Sequence, residues 1–148
     1  MKKIILLPAL VLWAVLADAQ TTTPTSADST VFRGTLVNDE YQVWLDIDFY
    51  SQAILVPDQE LFGEIAGYLG ARRDPRKWLI TSAELTSPTT AQLEIINDYG
   101  SEDLTATLTL LPDGTFQLRQ ASGSTLRIVV NRKWLKLPKT LQFSRKKE

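Results

Sequence analysis

The chain has 148 residues, of which 44% are hydrophobic and 22% charged; its formal net charge is −1, and it contains neither histidine nor cysteine. Histidine is the commonest general base and a common metal ligand, so its absence excludes Ser–His triads, Cys–His dyads and zinc sites built on His or Cys. These exclusions rule out most hydrolase mechanisms for this chain. We expect a protein that is not an enzyme, that uses no cofactor, and whose stability comes from packing rather than from disulfides.

The N-terminus has the three regions of a secretory signal peptide. Lys2 and Lys3 precede an apolar run at 4–17, and Ala17-Asp18-Ala19 then supplies an A-x-A cleavage pattern. The run is shorter than the roughly 18 apolar residues that a spanning helix needs, and no second stretch approaches that length. We predict a signal peptide at residues 1–19 and no membrane span after its removal. Since there is no cysteine for lipid attachment, we expect a soluble periplasmic or extracellular protein that is not a lipoprotein.

The next segment, QTTTPTSADST, is polar, rich in threonine and serine, and interrupted by proline. Such a composition buries too little apolar surface to order a chain, so we predict a disordered tether at residues 20–30. One domain would then occupy residues 31–148, a size that supports a hydrophobic core without covalent cross-links.

Charge is unevenly distributed along the chain. Residues 1–126 contain 8 basic and 16 acidic side chains, whereas residues 127–148 contain 8 basic side chains and 1 acidic one. A basic end can bind nucleic acid, but base stacking needs aromatic side chains among the charges, and that alternation is missing. We therefore expect no nucleic-acid partner and interpret the basic end as a solvated, lysine-protected edge strand with a frayed terminus.

From residue 31 onward, apolar and polar residues alternate with a period of two, which indicates β-strands. The clearest alternation is YQVWLDIDFY at 41–50. Turn sequences such as PDG at 112–114 and SGS at 122–124 favour tight hairpins between the later strands. The predicted strands lie at 31–37, 41–50, 52–56, 77–85, 91–97, 103–111, 115–121, 125–130 and about 140–144.

The segment LFGEIAGYLG at 61–70 is ambiguous. Leu61, Ile65 and Leu69 have helical spacing, but each of its two interior glycines would destabilise a helix by roughly 1 kcal/mol relative to alanine. In a strand, the same glycines would mark bends or the close approach of another backbone. We favour a strand, and the helix remains the alternative.

Nine or ten short strands without a long helix predict an all-β fold. Because the later connections are tight, we predict an antiparallel meander of about eight to ten strands that closes into one barrel. The alternative is a two-sheet β-sandwich.

With its export signal and polar tether, this meander resembles the small secreted bacterial barrels of lipocalin-like or avidin-like type. The resemblance is carried by VFRGTLV (31–37), FGEIAGYLG (62–70) and PDGTFQLRQASGSTLRIVV (112–130). It implies a lipocalin-like barrel. The early G-x-W motif of lipocalins is absent, and Phe32-Arg33-Gly34 stands in its place, so the resemblance assigns no binding residue.

One face of the strand at 41–50 carries Trp44, Asp46, Asp48 and Tyr50, opposite an apolar face. Two carboxylates framed by two aromatics suit a surface patch that binds a protein or glycan partner. The plainer interpretation is an outer barrel face in contact with water. Same-face residues of a strand lie roughly 6.5–7 Å apart, which also permits two remote alternatives, a carboxylate-based glycoside hydrolase and an oxygen-ligand calcium site.

The loop NDYGSED at 97–103 brings several carboxylates and an amide together. It lacks the alternating acidic pattern and the terminal glutamate of a calcium loop. We therefore interpret it as a polar hairpin loop with Gly100 at a positive φ, and we predict no metal site.

Trp78 and Trp134 are candidate pocket residues, because barrel mouths are common ligand sites. The alternative is that they fill the core or plug one end of the barrel. The leading hypothesis is an exported, non-enzymatic binding module that holds a small apolar or amphipathic ligand in the barrel. The second is an extracytoplasmic domain that binds a protein or glycan through the Trp44–Tyr50 face.

Overall fold

The computed structural model describes residues 30–147, and their regular structure is almost entirely β. The predicted signal peptide at 1–19, and the predicted tether up to residue 29, lie outside the described residues. Within 30–147, no helix is long and apolar enough to cross a bilayer. The strands are β1 (Arg33–Asn38), β2 (Val43–Asp48), β3 (Ile54–Leu55), β4 (Glu64–Ile65), β5 (Gly67–Ala71), β6 (Asp74–Ser87), β7 (Thr90–Asn97), β8 (Asp103–Leu110), β9 (Phe116–Gly123), β10 (Arg127–Val130), β11 (Lys133–Lys136) and β12 (Thr140–Arg145).

Eight of these strands form a closed antiparallel barrel in the order β1-β12-β9-β8-β7-β6-β5-β2, with β2 pairing back to β1. This confirms the predicted all-β meander barrel. Two antiparallel ribbons interrupt the meander. We call the segment 54–65, which contains the β3–β4 ribbon, the strap, and we call the β10–β11 ribbon at 127–136 the hairpin.

The structure departs from the predicted elements in the basic end. β11 was not predicted, because all four of its residues are exposed and show no alternation of burial. The prediction of a lysine-protected edge strand is wrong for β12, which pairs with β1 on one side and β9 on the other. The ambiguous segment at 61–70 contributes β4 and most of β5, after a single 3-10 turn at Glu60–Phe62, so the preference for strand over helix is correct.

The barrel interior is filled by the side chains of its own strands. In β2, buried and half-buried positions alternate, so Val43, Leu45 and Ile47 point inward. Inward-facing residues of all eight barrel strands contact one another in a single buried cluster. An eight-stranded barrel is just wide enough for packed side chains or for one small ligand, and here side chains occupy the space.

One end of the barrel is closed by aromatic side chains and by the segment that precedes β1. Phe32 stacks on Phe49 with 5.4 Å between ring centroids and meets Phe116 edge-on at 6.1 Å. Arg145 lies over the Phe116 ring and donates a hydrogen bond of 2.7 Å to the carbonyl oxygen of Val31. These contacts fasten the start of the domain across this end.

The hairpin covers the opposite end. Ile128 of the hairpin and Leu126 and Leu137 beside it are buried in the barrel cluster. Gln120, itself buried, holds both flanks of the ribbon. Its Oε1 accepts a hydrogen bond of 2.8 Å from the N–H of Leu126, and its Nε2 donates one of 3.0 Å to the carbonyl oxygen of Pro138. Both ends of the barrel are therefore covered.

The strap lies on the outer face of β2, β5 and β6. Its residues Val56 and Ile65 pack with Tyr68 and Leu79 in a second buried cluster outside the barrel, and Trp44 is half-buried against them. The interpretation of this face as open to water is therefore wrong around Trp44. Tyr68 and Leu79 make this part of the outer wall apolar, and the strap buries it.

Candidate functional site

A cleft of about 320 Å³ lies at the hairpin-covered end of the barrel, between the hairpin, the start of β6 and the loop that joins β7 to β8. Small-molecule sites usually enclose about 300–1,000 Å³, so this volume suits a small ligand. We call it the hairpin cleft. Its lining combines aromatic, basic and acidic side chains: Trp78, Tyr99 and Trp134, then Arg76, Lys77 and Arg127, then Asp74, Asp98 and Glu102.

Trp134 is 58% exposed, although large apolar side chains are usually well buried. The guanidinium carbon of Arg76 lies 5.0 Å from the centroid of its ring, and that of Arg127 lies 4.8 Å from it. Each such cation–π contact contributes about 0.5–1 kcal/mol at an exposed site. The indole is thus held in place by two cations while it stays accessible from solvent.

Trp78 is only 6% exposed and belongs to the barrel cluster, yet it also lines the cleft. Its indole N–H donates a hydrogen bond of 3.0 Å to the carbonyl oxygen of Arg127. Arg127 therefore contacts both tryptophans, one through its backbone and the other through its side chain. The structure brings the two predicted pocket residues to one site, but that site lies beside the hairpin and not inside the barrel.

The cations of the cleft differ in their partners. Arg127 forms an ion pair with Glu102, with 2.7 Å between Nη2 and Oε2. Arg76 forms no ion pair within residues 30–147, so the five donors of its guanidinium are not in direct contact with a carboxylate. A bidentate carboxylate or phosphate group is the natural partner for a free guanidinium at the wall of a cleft.

The loop at 97–102 forms the polar wall of the cleft. Asn97 orders it, because its Oδ1 accepts hydrogen bonds from the N–H groups of Ser101 at 2.9 Å and Glu102 at 3.2 Å. Gly100 has a φ of 70°, as expected for a hairpin loop. Tyr99 at the loop tip is 77% exposed. In the described part of the chain, no group of three or more Asp and Glu side chains is arranged to hold a metal ion.

The other predicted site, the outer face of β2, is half-buried and used by the fold itself. Asp46 of β2 stands opposite Tyr68 of β5, and Trp44 packs against the buried cluster that contains Tyr68 beside the strap. Burial raises the pKa of Asp46, and the hydrogen bond from Tyr68 opposes part of that rise. Burial is also the main cause that raises the pKa of Tyr68.

Asp48 has a different environment from Asp46. Its carboxylate accepts hydrogen bonds of 3.1 Å from the N–H groups of Tyr50 and Ser51, and its Oδ2 lies 3.3 Å from the Nε of Arg33. Burial alone would raise the pKa of Asp48, but the hydrogen bonds and the Arg33 charge outweigh it and lower the pKa. An acid–base pair needs such opposite shifts, but here the oxygens of Asp48 are engaged by the chain.

Tyr50 is engaged as well, since its hydroxyl accepts a hydrogen bond of 3.0 Å from the N–H of Phe32. The four residues of the predicted surface patch therefore share one outer face, as the alternation indicates, but each has a partner in the chain. These side chains stabilise the turn that follows β2 and pack against the strap. The hairpin cleft is the stronger candidate for recognition of another molecule.

Three residues of the cleft were missed by the sequence analysis. Arg76, Arg127 and Tyr99 lie on a strand near a turn, on the hairpin and on a loop, so no sequence spacing links them. Tyr99 alone had a usable signal, as a single aromatic residue in a polar loop. Together with Trp134, these side chains offer stacking, positive charge and hydrogen bonds to another molecule.

No family model, no curated protein and no solved structure matches this chain significantly. The resemblance to lipocalin-like and avidin-like barrels therefore stays a prediction at the level of family, whereas the closed eight-stranded barrel is a property of the fold.

Proposed function

We propose that this chain is an exported, non-enzymatic binding module that takes a small amphipathic ligand in the hairpin cleft. The observation that carries the proposal is the exposed indole of Trp134, held by two guanidinium groups at the wall of a cleft of about 320 Å³. Ligand sites typically combine aromatic walls with a few polar groups that fix orientation. The packed interior supports a site beside the barrel rather than within it.

The chemistry of the cleft suits a ligand with a flat apolar part and an anionic group. Trp134 and Tyr99 offer exposed aromatic surface for the apolar part. Arg76 offers an unpaired guanidinium for a carboxylate or phosphate, whereas the charge of Arg127 is already balanced by Glu102. The polar loop at 97–102 supplies further hydrogen-bonding groups for hydroxyls.

Native mass spectrometry of the protein purified from its own host tests this proposal. We expect a reproducible non-covalent adduct that disappears on denaturation, and its mass would identify the ligand. The released ligand is then titrated into Trp134→Ala and Arg76→Gln variants. We expect each to lose about tenfold or more in affinity, because truncating a central aromatic or arginine anchor commonly costs more than 1 kcal/mol.

Trp44→Phe is the control, since Trp44 is a half-buried indole that lies away from the cleft. It should bind with unchanged affinity. An adduct that survives in both cleft variants with full affinity would refute this site, and a clean apo mass from the host would refute the binding function. The export part of the proposal is tested separately, because the N-terminus of the protein recovered from the host should be Gln20.

A further inference from the structure

The exposed large apolar side chains of the described residues fall into two groups. Leu55, Leu61 and Phe62 lie on the strap, and Leu61 is fully exposed. The second group lies at the hairpin end of the molecule, with Tyr99 on the neighbouring loop and with Trp134 and Leu135 on opposite faces of β11. Apolar side chains that cluster on a surface, rather than scatter singly, mark sites of interaction with another molecule.

The charged residues around these two apolar groups have opposite sign. The strap contains Asp58, Glu60 and Glu64, all exposed, and no basic residue occurs between 51 and 71. The hairpin contains four basic residues and no acidic one, and its tip residues Arg132 and Lys133 are exposed. An apolar surface with an acidic rim therefore exists on the same molecule as an apolar surface with a basic rim.

The chain does not satisfy these charges internally. The ion pairs within residues 30–147 are Arg33 with Asp48 and Arg127 with Glu102, so neither the strap acids nor the hairpin-tip bases take part in one. The strap packs on the outer wall of β2, β5 and β6, whereas the hairpin covers one end of the barrel. Each surface is thus open to a second molecule.

We infer that the strap of one copy docks on the hairpin of a second copy. The contact is head-to-tail, because the two surfaces are different, and it generates a ring or an open row of molecules. Leu61 and Phe62 meet Leu135 at the apolar centre, and Glu60 and Glu64 face Arg132 and Lys133 at the rim. Complementary charge of this kind sets the partner and the register of an interface.

The charge-reversal test leaves the proposed ligand site unchanged, because Glu60, Glu64, Arg132 and Lys133 do not line the hairpin cleft. Sedimentation velocity of the purified protein across a concentration series measures the association. At low salt the mean mass should rise above that of the monomer with concentration. At about 1 M salt, where the Debye length falls to roughly 3 Å, it should return towards the monomer.

Charge-reversal variants test whether the strap and the hairpin form the contact between two copies. The strap variant Glu60→Lys/Glu64→Lys and the hairpin variant Arg132→Glu/Lys133→Glu should each lose association by about tenfold or more, since like charges then face each other. A one-to-one mixture of the two should associate again, because each reversed surface meets its complement. This rescue cannot come from unfolding. The matched control Asp39→Lys/Glu84→Lys makes the same charge change at exposed sites elsewhere and should associate like the parent.

A protein that stays monomeric at low salt and high concentration would overturn the inference and would leave the two surfaces to other partners. Association that both reversed variants retain would also overturn it, since the contact would then lie elsewhere.

Discussion

The indole N–H of Trp78 donates a hydrogen bond of 3.0 Å to the carbonyl oxygen of Arg127, and this contact joins the barrel wall to the hairpin. Asp74, which is buried, adds a second link, because its Oδ2 accepts a hydrogen bond of 2.8 Å from the N–H of Val129. Both links start from β6 and position the ribbon that carries Trp134. The shape of the hairpin cleft therefore depends on them.

Replacing Asp74 with alanine should loosen the hairpin. The N–H groups of Val129 and Arg76 would each lose an Asp74 oxygen as acceptor, and losing hydrogen bonds to a charged group at such a partly buried site costs about 1–3 kcal/mol. Urea unfolding should show a loss of stability in that range. Hydrogen exchange should accelerate in the hairpin more than in β7 and β8, because the opening is local.

Asp113→Ala is the control for this variant. Asp113 also accepts a hydrogen bond from a backbone N–H, that of Thr115 at 3.0 Å, but it is exposed, so water replaces the lost bond. Its effect should stay within about 0.5 kcal/mol. Equal losses of stability in the two variants would show that Asp74 does not clamp the hairpin.

Gly70 lies beneath the indole of Trp44, and a Cβ added to it would stand 2.5 Å from Cζ2 of that ring. Gly70→Ala should therefore destabilise the fold by about 1–3 kcal/mol, as overpacking does. In a Trp44→Leu background the same substitution should cost clearly less, and a double-mutant cycle of urea unfolding measures the coupling.

Gly67→Ala is the control for this cycle. Its Cβ would clash with the backbone oxygen of Asp46, and Trp44→Leu cannot relieve that clash. Coupling of equal size at both glycines would contradict this packing.

Asp46 and Asp48 should have opposite effects on stability as pH changes. Burial raises the folded-state pKa of Asp46, so the folded protein holds its proton more tightly than the unfolded chain does. Stability should therefore fall as pH rises from the unfolded value, about 3.9, through the raised pKa. Asp46→Asn should remove this slope and be no less stable than the parent at neutral pH, since a neutral amide avoids the cost of burying a charge.

The contribution of Asp48 to stability changes with pH in the opposite direction. Its folded-state pKa is lowered, so its contribution is present above the unfolded value of about 3.9 and is lost as pH falls through the lowered pKa. Asp48→Asn should lose about 1 kcal/mol at neutral pH, towards the low end for hydrogen bonds to a charged group because the turn is partly solvated. Urea unfolding between about pH 2 and pH 7 measures both slopes. The stability difference between the parent and each variant should change with pH in opposite directions for Asp46→Asn and Asp48→Asn. A change in the same direction for both variants would contradict the assigned environments.

Replacing Arg132 at the tip of the hairpin with glycine should stabilise the protein. Asn131 and Arg132 have φ values of 53° and 65°, and Val130 pairs with Lys133 across them, as in a two-residue turn with positive φ at both central positions. Arg132→Gly removes the strain of a side chain at positive φ and should stabilise the protein by about 0.5–1 kcal/mol. Arg132→Ala loses the same charge but keeps a Cβ, so it should not stabilise. Urea midpoints of the two variants distinguish them, and an equal gain in both would attribute the effect to charge.

The sequence by itself determined the class of fold. The alternation in β2, β8 and β9 assigns one face of each strand to the core, because side chains on a strand point to opposite sides in turn. The short turn between β8 and β9 implies antiparallel neighbours. The absence of histidine and cysteine likewise excludes whole classes of chemistry.

Only the tertiary structure decided what covers each surface. The period of a strand says which side chains share a face, but it says nothing about what packs against that face. The strap therefore buries an outer wall around Trp44 that the pattern alone assigns to water. In the same way, Trp78 and Trp134 come to one site only because the hairpin folds back over the barrel end. Hydrogen bonds to Trp78, Asp74 and Gln120 hold it there, and they leave no periodic trace in the sequence.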